Sequence, residues 1–170
     1  MSNLIFCYGS NMCIERLTAR IGETERLGCA RLRGYVFRMH KRGYDGSAKA
    51  DAMWTGREGD FMWGVVRRVS GLSKSELDRC EGVGVGYDCS TAKVELSDGA
   101  IQTVNLYTAR PDWTVPRLTA FCWYREYIIR GAAQHDLPVE YQRQLADIPY
   151  TADPDAARRS ENWMILQSPA

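Results

Sequence analysis

The sequence predicts a single α+β domain, with strands in its first two thirds and helices in its last third. Short apolar runs separated by glycine-containing turns recur between residues 3 and 108. The longest stretch with helical spacing of bulky apolar residues follows at 114–135. With 170 residues, 45% of them hydrophobic and 25% charged, the chain has the size and composition of a globular domain with one core.

The first half of the chain is expected to alternate strands with turns. An apolar run at residues 3–8 predicts a strand, and the spacing at 12–21 predicts a helix after it. A long strand-like region at 25–41 is interrupted by Gly34, which indicates a bend or bulge. The pattern then predicts a polar loop, a short strand, a turn and a buried strand, at 42–47, 49–55, 56–60 and 61–69.

The next element is predicted to be a short helix that starts with a capping box. Ser73 can cap the helix and Glu76 stands three residues later, so the helix is expected to run from Ser73 to about Glu81. After it come two strands joined by a hairpin turn at Ser97-Asp98-Gly99, and then two helices. These four elements are predicted at 87–96, 100–108, 114–135 and 138–146.

The composition excludes several classes of protein. A formal net charge of +1 gives no reason to expect binding to nucleic acid or to an anionic membrane. No apolar run is long enough for a transmembrane helix, and the start of the chain does not resemble a secretory signal. The six cysteines are scattered without a C-x-x-C pair, which favours reduced thiols and a cytoplasmic location.

The segment Tyr8-Gly9-Ser10-Asn11, between the first strand and the first helix, is the strongest indication of function. A strand that ends at glycine and enters a helix through Ser and Asn leaves backbone N–H groups unpaired. With the positive end of the helix dipole, such groups can bind a carboxylate or a developing oxyanion. The alternative interpretation is an ordinary strand-to-helix turn.

Glu81 is a candidate general base because of its position at the end of a predicted helix. It follows Leu77 by one turn, so its side chain can lie near the buried face. The helix dipole disfavours a negative charge at this end, which is a poor arrangement for stability. A surface glutamate is the alternative interpretation, and spacing alone does not connect Glu81 to the Tyr8–Asn11 segment.

Three other well-known functional motifs do not match the sequence. The glycine-rich segment 82–86 follows a helix and precedes a strand, which is the reverse of the order in a dinucleotide-binding loop. Ser10 is not flanked by the glycines of a hydrolase nucleophile elbow. His40 and His135 are far apart, so a zinc site or a Ser-His triad is not expected.

Several motifs taken in order resemble the γ-glutamylcyclotransferase family, also called AIG2-like. They are Tyr8-Gly9-Ser10-Asn11-Met12 with Arg16-Leu17, Trp63-Gly64-Val65-Val66, Leu77-Asp78-Arg79-Cys80-Glu81-Gly82, Gly131-Ala132 and Leu137-Pro138-Val139-Glu140-Tyr141. Asn11 favours this branch over the related glutathione-specific enzymes. The resemblance implies a family domain at 1–150 and leaves a tail of unassigned role at 151–170.

The resemblance implies a small, barrel-like mixed sheet flanked by helices. It further implies substrate binding by Tyr8, Gly9, Ser10 and Asn11, an acid/base role for Glu81, and positions near the pocket for Tyr87 and Tyr107. The implied enzyme is a lyase or acyl transferase that needs no cofactor or metal. In its small-molecule γ-glutamyl substrate, the α-amino group attacks the γ-amide carbonyl, releasing 5-oxoproline and an amine or amino acid.

Two other functions stay open at this stage. The leaving group could instead be a biosynthetic amine or the ε-amine of lysine. The chain could also be a non-catalytic small-molecule-binding or interaction protein that keeps the fold.

Five tryptophans and nine tyrosines could cover a core or the interface of a homodimer, and the sequence does not choose between them.

Overall fold

The computed structural model describes residues 3–168, which form one α+β unit of strands, helices and two short 3-10 turns. In chain order the strands and helices are β1 (Asn3–Cys7), α1 (Ile14–Ile21), β2 (Glu25–Arg33), β3 (Tyr35–Arg42), β4 (Ala48–Trp54), β5 (Phe61–Val69), α2 (Gly71–Glu81), β6 (Tyr87–Leu96), β7 (Ile101–Ala109), β8 (Ala120–Phe121), α3 (Cys122–Gln134), α4 (Val139–Ala146), β9 (Tyr150–Thr151) and α5 (Ala156–Gln167).

Five of the strands close into a barrel in the order β1-β5-β2-β6-β7. Neighbouring strands are antiparallel, except that β1 and β7 pair in parallel at Ile5 and Asn105 and so close the barrel. The α+β class and the barrel-like mixed sheet are therefore confirmed. Because β1 is hydrogen-bonded on both sides, the chain that leaves its end is held in a fixed position.

Strands β3 and β4 form a separate hairpin beside the barrel. The predicted break at Gly34 is confirmed, since this residue has φ +75° and separates β2 from β3. The pairing of β3 with β4 shifts register between Met39 and Lys41. A bulge of this kind re-aims the side chains that follow it, and Lys41 is the first of them.

Helix α2 begins earlier than the capping box predicts. Its N-cap is Ser70, whose hydroxyl accepts the backbone N–H of Ser73 at 3.0 Å. Ser70 directly follows β5 and has extended backbone (φ −67°, ψ 166°), as an N-cap residue requires. Its hydroxyl can cap the helix in the same way as that of Ser73, three residues earlier in the chain. The predicted cap at Ser73 is wrong, whereas the predicted end at Glu81 is confirmed.

The predicted long helix at 114–135 is also too long, because α3 starts only at Cys122. Pro116 disfavours helical backbone at the residue before it, and Arg117 has φ +65°, outside the helical region. Residues 120 and 121 instead form β8, which pairs in parallel with β9. The side chains of Leu118 and Phe121 still pack on the core, which explains the misleading periodicity.

Residues 151–168 fold against the rest of the molecule. Helix α5 is capped by Asp155, which accepts the N–H of Arg158, and it contacts α1 and α3. The carboxylate of Asp153 is fully buried, where Arg158 pairs with it at 2.6 Å and the indole N–H of Trp123 donates to it at 2.8 Å. None of the helices within residues 3–168 is long and apolar enough to cross a bilayer.

Helix α3 lies directly against the start of α1. A Cβ atom at Gly131 would overlap the backbone of Met12 and Cys13, so only glycine permits this approach. The segment Tyr8–Asn11 is consequently held between the end of β1 and the middle of α3.

Candidate active site

The Tyr8–Asn11 segment exposes a row of backbone donors. Gly9 follows the end of β1, and Ser10–Met12 form a 3-10 turn. The carbonyl groups of Gly9 and Ser10 accept hydrogen bonds from residues three positions later in the chain. The N–H groups of Met12 and Cys13 donate to Gly9 and Ser10 at 3.0 and 3.2 Å. Within residues 3–168, the N–H groups of Gly9, Ser10 and Asn11 have no protein acceptor. They are available to a bound anion or oxyanion.

Glu81 lies beside this segment, with its side chain 14% exposed. Its Oε1 atom accepts a hydrogen bond from Asn11 Nδ2 at 2.9 Å and another from Arg20 Nη1 at 2.6 Å. Its Oε2 atom accepts none from the part of the chain that the structure describes. One carboxylate oxygen is thus fixed by two donors, and the other has no hydrogen-bond donor among the described residues.

Arg20 was not identified from the sequence, although it completes this cluster. Its Nη1 atom also donates to Asn11 Oδ1 at 2.8 Å, so Arg20, Asn11 and Glu81 are mutually bonded. Burial opposes the positive charge, but the charge and hydrogen bond of Glu81, together with Cys80 and Tyr124, more than offset it and raise the pKa of Arg20. The available signal was the spacing of Arg16 and Arg20, one turn apart on the helix that follows the segment.

A small chamber of about 30 Å³ lies between Glu81 and the Tyr8–Asn11 segment. Tyrosine rings form much of its wall, and their hydroxyls bond to backbone: Tyr8 donates to the carbonyl of Tyr107 at 2.5 Å, and Tyr87 donates to that of Ala50 at 2.6 Å. Burial raises the pKa of Tyr8 and of Tyr87 well above the ordinary value, so both remain neutral phenols.

Tyr87 and Tyr107 both line the chamber, but the hydroxyl of Tyr107 bonds to a residue that does not line it. That hydroxyl donates to Asp78 Oδ1 at 2.7 Å, and only the ring of Tyr107 remains for the chamber wall. Tyr124, which the sequence analysis did not single out as a site residue, lines the chamber as well. Its hydroxyl accepts the N–H of Ala50 at 3.1 Å.

Gly9 is needed because β4 passes close to it. A Cβ atom at position 9 would lie 2.8 Å from Cβ of Ala50 and 3.6 Å from the hydroxyl of Tyr124. The backbone of Gly9 is therefore pressed against β4, at a position where Gly9, Ser10 and Asn11 line the chamber.

The chamber opens into an outer cleft of about 290 Å³. The two spaces share Ser10, Glu81, Tyr87 and Tyr124. Helix α1, the β3–β4 hairpin and α5 supply the five cationic side chains that line the cleft, which are Arg16, Arg20, Lys41, Lys49 and Arg158. The cleft therefore favours ligands that carry negative charge.

The remaining sequence candidates lie outside the chamber. His40 pairs with Asp51 at 2.8 Å, and the ring of His135 bonds to the carbonyl of Met12 at 2.9 Å. Across residues 3–168, no group of three or more His, Cys, Asp or Glu side chains could hold a metal ion. All six cysteines are free thiols.

Comparison with known proteins decides the family. The sequence model of the AIG2-like family matches residues 61–145. A bovine protein named gamma-glutamylcyclotransferase is 32% identical over 155 residues, which cover 86% of this chain and 79% of the bovine protein. The human protein of that name is 31% identical over the same shares. This chain belongs to the γ-glutamylcyclotransferase family.

Solved structures agree with this membership. A structure named gamma-glutamyl cyclotransferase is 25% identical, with a TM-score of 0.85, and the match covers 99% of this chain and 100% of that one. An uncharacterized human protein is 27% identical, with a TM-score of 0.83, over 98% and 99% of the two chains. The γ-glutamylcyclotransferase fold thus includes the helix α5 that follows the family-model match, and the chain is an enzyme of this type.

Proposed function

We propose that the protein is a γ-glutamyl cyclotransferase that converts a small γ-glutamyl amide into 5-oxoproline and a free amine or amino acid. One observation carries the proposal. Glu81 lines the same chamber as residues 8–11, and the N–H groups of 9–11 have no acceptor within residues 3–168. A proton acceptor and an oxyanion site are the two groups that an intramolecular attack on an amide requires.

The first step in this proposal is removal of a proton from the substrate. The attacking α-amino group has an ordinary pKa of about 8, so it is largely protonated at neutral pH and must lose a proton before it attacks. Glu81 is assigned this role, with its Oε2 atom turned to the substrate while Arg20 and Asn11 hold Oε1.

Attack then forms a bond between the α-nitrogen and the γ-carbonyl carbon and gives a tetrahedral intermediate. The N–H groups of Gly9–Asn11 are the proposed donors to its oxyanion, and one such donor is typically worth roughly 3–4 kcal/mol. The bond from that carbon to the leaving nitrogen breaks next. Glu81 gives the proton it took to this nitrogen, and its carboxylate then accepts the second proton of the ring nitrogen and passes it to solvent, so 5-oxoproline and a neutral amine are released without a covalent enzyme intermediate.

Confinement contributes to the rate in this proposal. Nucleophile and electrophile belong to one molecule, so selecting the rotamer that brings them together can supply up to about 7–11 kcal/mol. The rings of Tyr8, Tyr87 and Tyr124 line the chamber beside Glu81 and would restrict the rotamers of a γ-glutamyl group bound there.

The experiment is to replace Glu81 by Gln, which keeps the shape and removes the base. Purified wild type and E81Q are incubated with a panel of γ-glutamyl amino acids and γ-glutamyl amines, and 5-oxoproline is measured by mass spectrometry. We expect kcat to fall about 100-fold or more in E81Q, in the range attributed to a general base.

The matched control is Glu76→Gln, on the same helix but paired with the exposed Arg79 at 2.5 Å. It should retain wild-type turnover. Full turnover by E81Q would refute the role of Glu81, and absence of turnover by wild type with every substrate would refute the activity.

We infer a cytoplasmic location as well. All six cysteines are free, including the exposed Cys80, and reduced thiols are typical of the cytoplasm.

A further inference from the structure

Lys41 is an unusual cation in the outer cleft. The residue is only 4% exposed, and its ammonium lies over three rings, at 4.7 Å from the centroid of Tyr87, 5.0 Å from Trp113 and 5.8 Å from Tyr44. It lines the cleft. No ion pair or hydrogen bond within residues 3–168 includes its Nζ atom.

Most other cations of the cleft have an acidic partner. Arg20 pairs with Glu81 at 2.6 Å, Lys49 with Asp45 at 2.8 Å, and Arg158 with Asp153 at 2.6 Å. Lys41 and Arg16 are the exceptions in the described part of the chain. Arg16 donates to the Asn162 side chain at 3.3 Å and lies 5.0 Å above the ring of Tyr127, both uncharged partners.

Burying the ammonium of Lys41 at this position costs free energy. A Cβ atom at Gly86 would lie 2.8 Å from Nζ of Lys41, so a larger residue there would displace the ammonium from its present position. Burial lowers the pKa of Lys41, and aromatic faces replace only part of the hydration that it loses. An anion bound in the cleft would supply the missing partner.

The two unpaired cations lie on different walls of the cleft. Arg16 is one turn before Arg20 on α1, about 6 Å along the helix axis, and therefore next to the group that bonds Glu81. The α-carboxylate of a γ-glutamyl substrate is attached to the same carbon as the amine that Glu81 would deprotonate, so it fits Arg16. Lys41 comes from β3, on a different element from Arg16, and lines the same cleft, so with the α-carboxylate at Arg16 it is the cation left for the other end of the substrate, the leaving group.

We propose that Lys41 is a specificity-determining residue that selects leaving groups carrying a carboxylate. This inference rests on the proposed function and specifies its substrate. A γ-glutamyl amino acid has one ammonium and two carboxylates, which match Glu81, Arg16 and Lys41 in number and sign. A neutral or cationic leaving amine would leave Lys41 unpaired or repelled.

The experiment compares two substrates that differ only by this carboxylate, γ-glutamyl-alanine and γ-glutamyl-ethylamine. For wild type we expect kcat/KM to be about 10- to 100-fold higher with γ-glutamyl-alanine, mainly through a lower KM, as for one charge-assisted hydrogen bond. This comparison needs no variant, so it remains decisive even if substitution of a buried lysine impairs folding. Equal kcat/KM for the two substrates would overturn the assignment.

The variant Lys41→Met keeps the length of the side chain and removes its charge. The ratio of the two kcat/KM values should fall toward one in K41M and stay high in Lys41→Arg, which retains the charge. Lys93→Met is the matched control, because Lys93 is exposed on β6 outside the cleft, and it should leave the ratio unchanged.

The proposed role of Lys41 and the proposed cyclotransferase activity would be refuted by different results. A wild-type preference that persists in K41M would overturn the role of Lys41 while leaving the cyclotransferase activity in place. No release of 5-oxoproline by wild type from either compound or from the wider panel would overturn the proposed function, and this inference with it.

Discussion

Arg20 and Glu81 form a short ion pair, with 2.6 Å between Nη1 and Oε1, in a site where their side chains are 18% and 14% exposed. The two residues come from different helices, α1 and α2, and Asn11 bonds to both. The position of the proposed base is therefore set by an arginine as well as by the end of its own helix.

Removing the guanidinium should impair catalysis more than substrate binding. In Arg20→Met, Oε1 of Glu81 loses one of its two donors, and the carboxylate can rotate away from the substrate. Misplacement of a reacting group by about 1 Å can cost about 100-fold in rate, so we expect kcat to fall by about that factor with a smaller change in KM. Steady-state kinetics of 5-oxoproline release measures both constants.

Arg20→Lys should recover part of the lost kcat, since an ammonium can still donate to Oε1. Arg79→Met, which removes an exposed arginine paired with Glu76 on α2, is the control and should behave as wild type. Equal losses of activity in R20M and R20K, in step with a loss of folded protein, would indicate a purely structural role.

A single methyl group at position 9 should disturb the chamber. In Gly9→Ala the new Cβ would lie 2.8 Å from Cβ of Ala50, so the segment or β4 must move. We expect a loss of stability of about 1–3 kcal/mol, typical of overpacking, together with a raised KM. Urea denaturation and steady-state kinetics measure the two effects.

The paired variant Gly9→Ala/Ala50→Gly restores the space and should recover much of the lost KM. Gly59→Ala is the neutral comparison, because no atom lies within 4 Å of the Cβ position there. Wild-type behaviour of G9A alone would show that the close contact with β4 does not position the segment.

His135 should make the fold sensitive to mild acid. The residue is 2% exposed, and burial lowers its pKa from 6.5 to about 4. Between these values the unfolded chain binds a proton that the folded chain excludes, so the free energy of unfolding falls as the pH decreases from 6.5 to 4. The loss attributable to His135 approaches about 3 kcal/mol at the lower end.

Urea denaturation at several pH values between 7 and 4 measures this dependence. His135→Gln keeps a donor for the carbonyl of Met12 and cannot titrate, so its stability should fall less steeply over the window. Identical pH slopes for wild type and H135Q would contradict the prediction.

The local features of the site were readable from the sequence, whereas its contacts were not. Glycine after an apolar strand indicates N–H groups that can stay unpaired, and a position one helical turn after Leu77 allows Glu81 to lie near the buried face, with an ordinary turn and a surface glutamate as the alternatives. No local pattern predicts that Asn11 and Glu81, 70 residues apart, meet at 2.9 Å. Their meeting depends on barrel closure and on the packing of α1 against α2.

The errors in the elements also have local causes. Leu118 and Phe121 have helical spacing and pack on the core, but Pro116 and the positive φ of Arg117 keep the chain extended before α3. Lys41 and Tyr124 are absent from the predicted site because an isolated lysine or tyrosine carries no signal of its own. A bulge in a hairpin and the packing of α3 bring them to the cleft.

The proposed reaction centre and the outer cleft lie on different parts of the fold, and this division affects how substrate selectivity can change in such enzymes. The proposed reaction centre is built at the end of β1 and on helices α1 and α2, while the β3–β4 hairpin and α5 complete the outer cleft. Substitution of single cleft side chains, such as Lys41 and Arg158, can redirect the enzyme to new amides without disturbing the groups that move protons. Because Ala50 of the same hairpin packs against Gly9, engineered selectivity is better sought in such single side chains than in exchange of the whole hairpin.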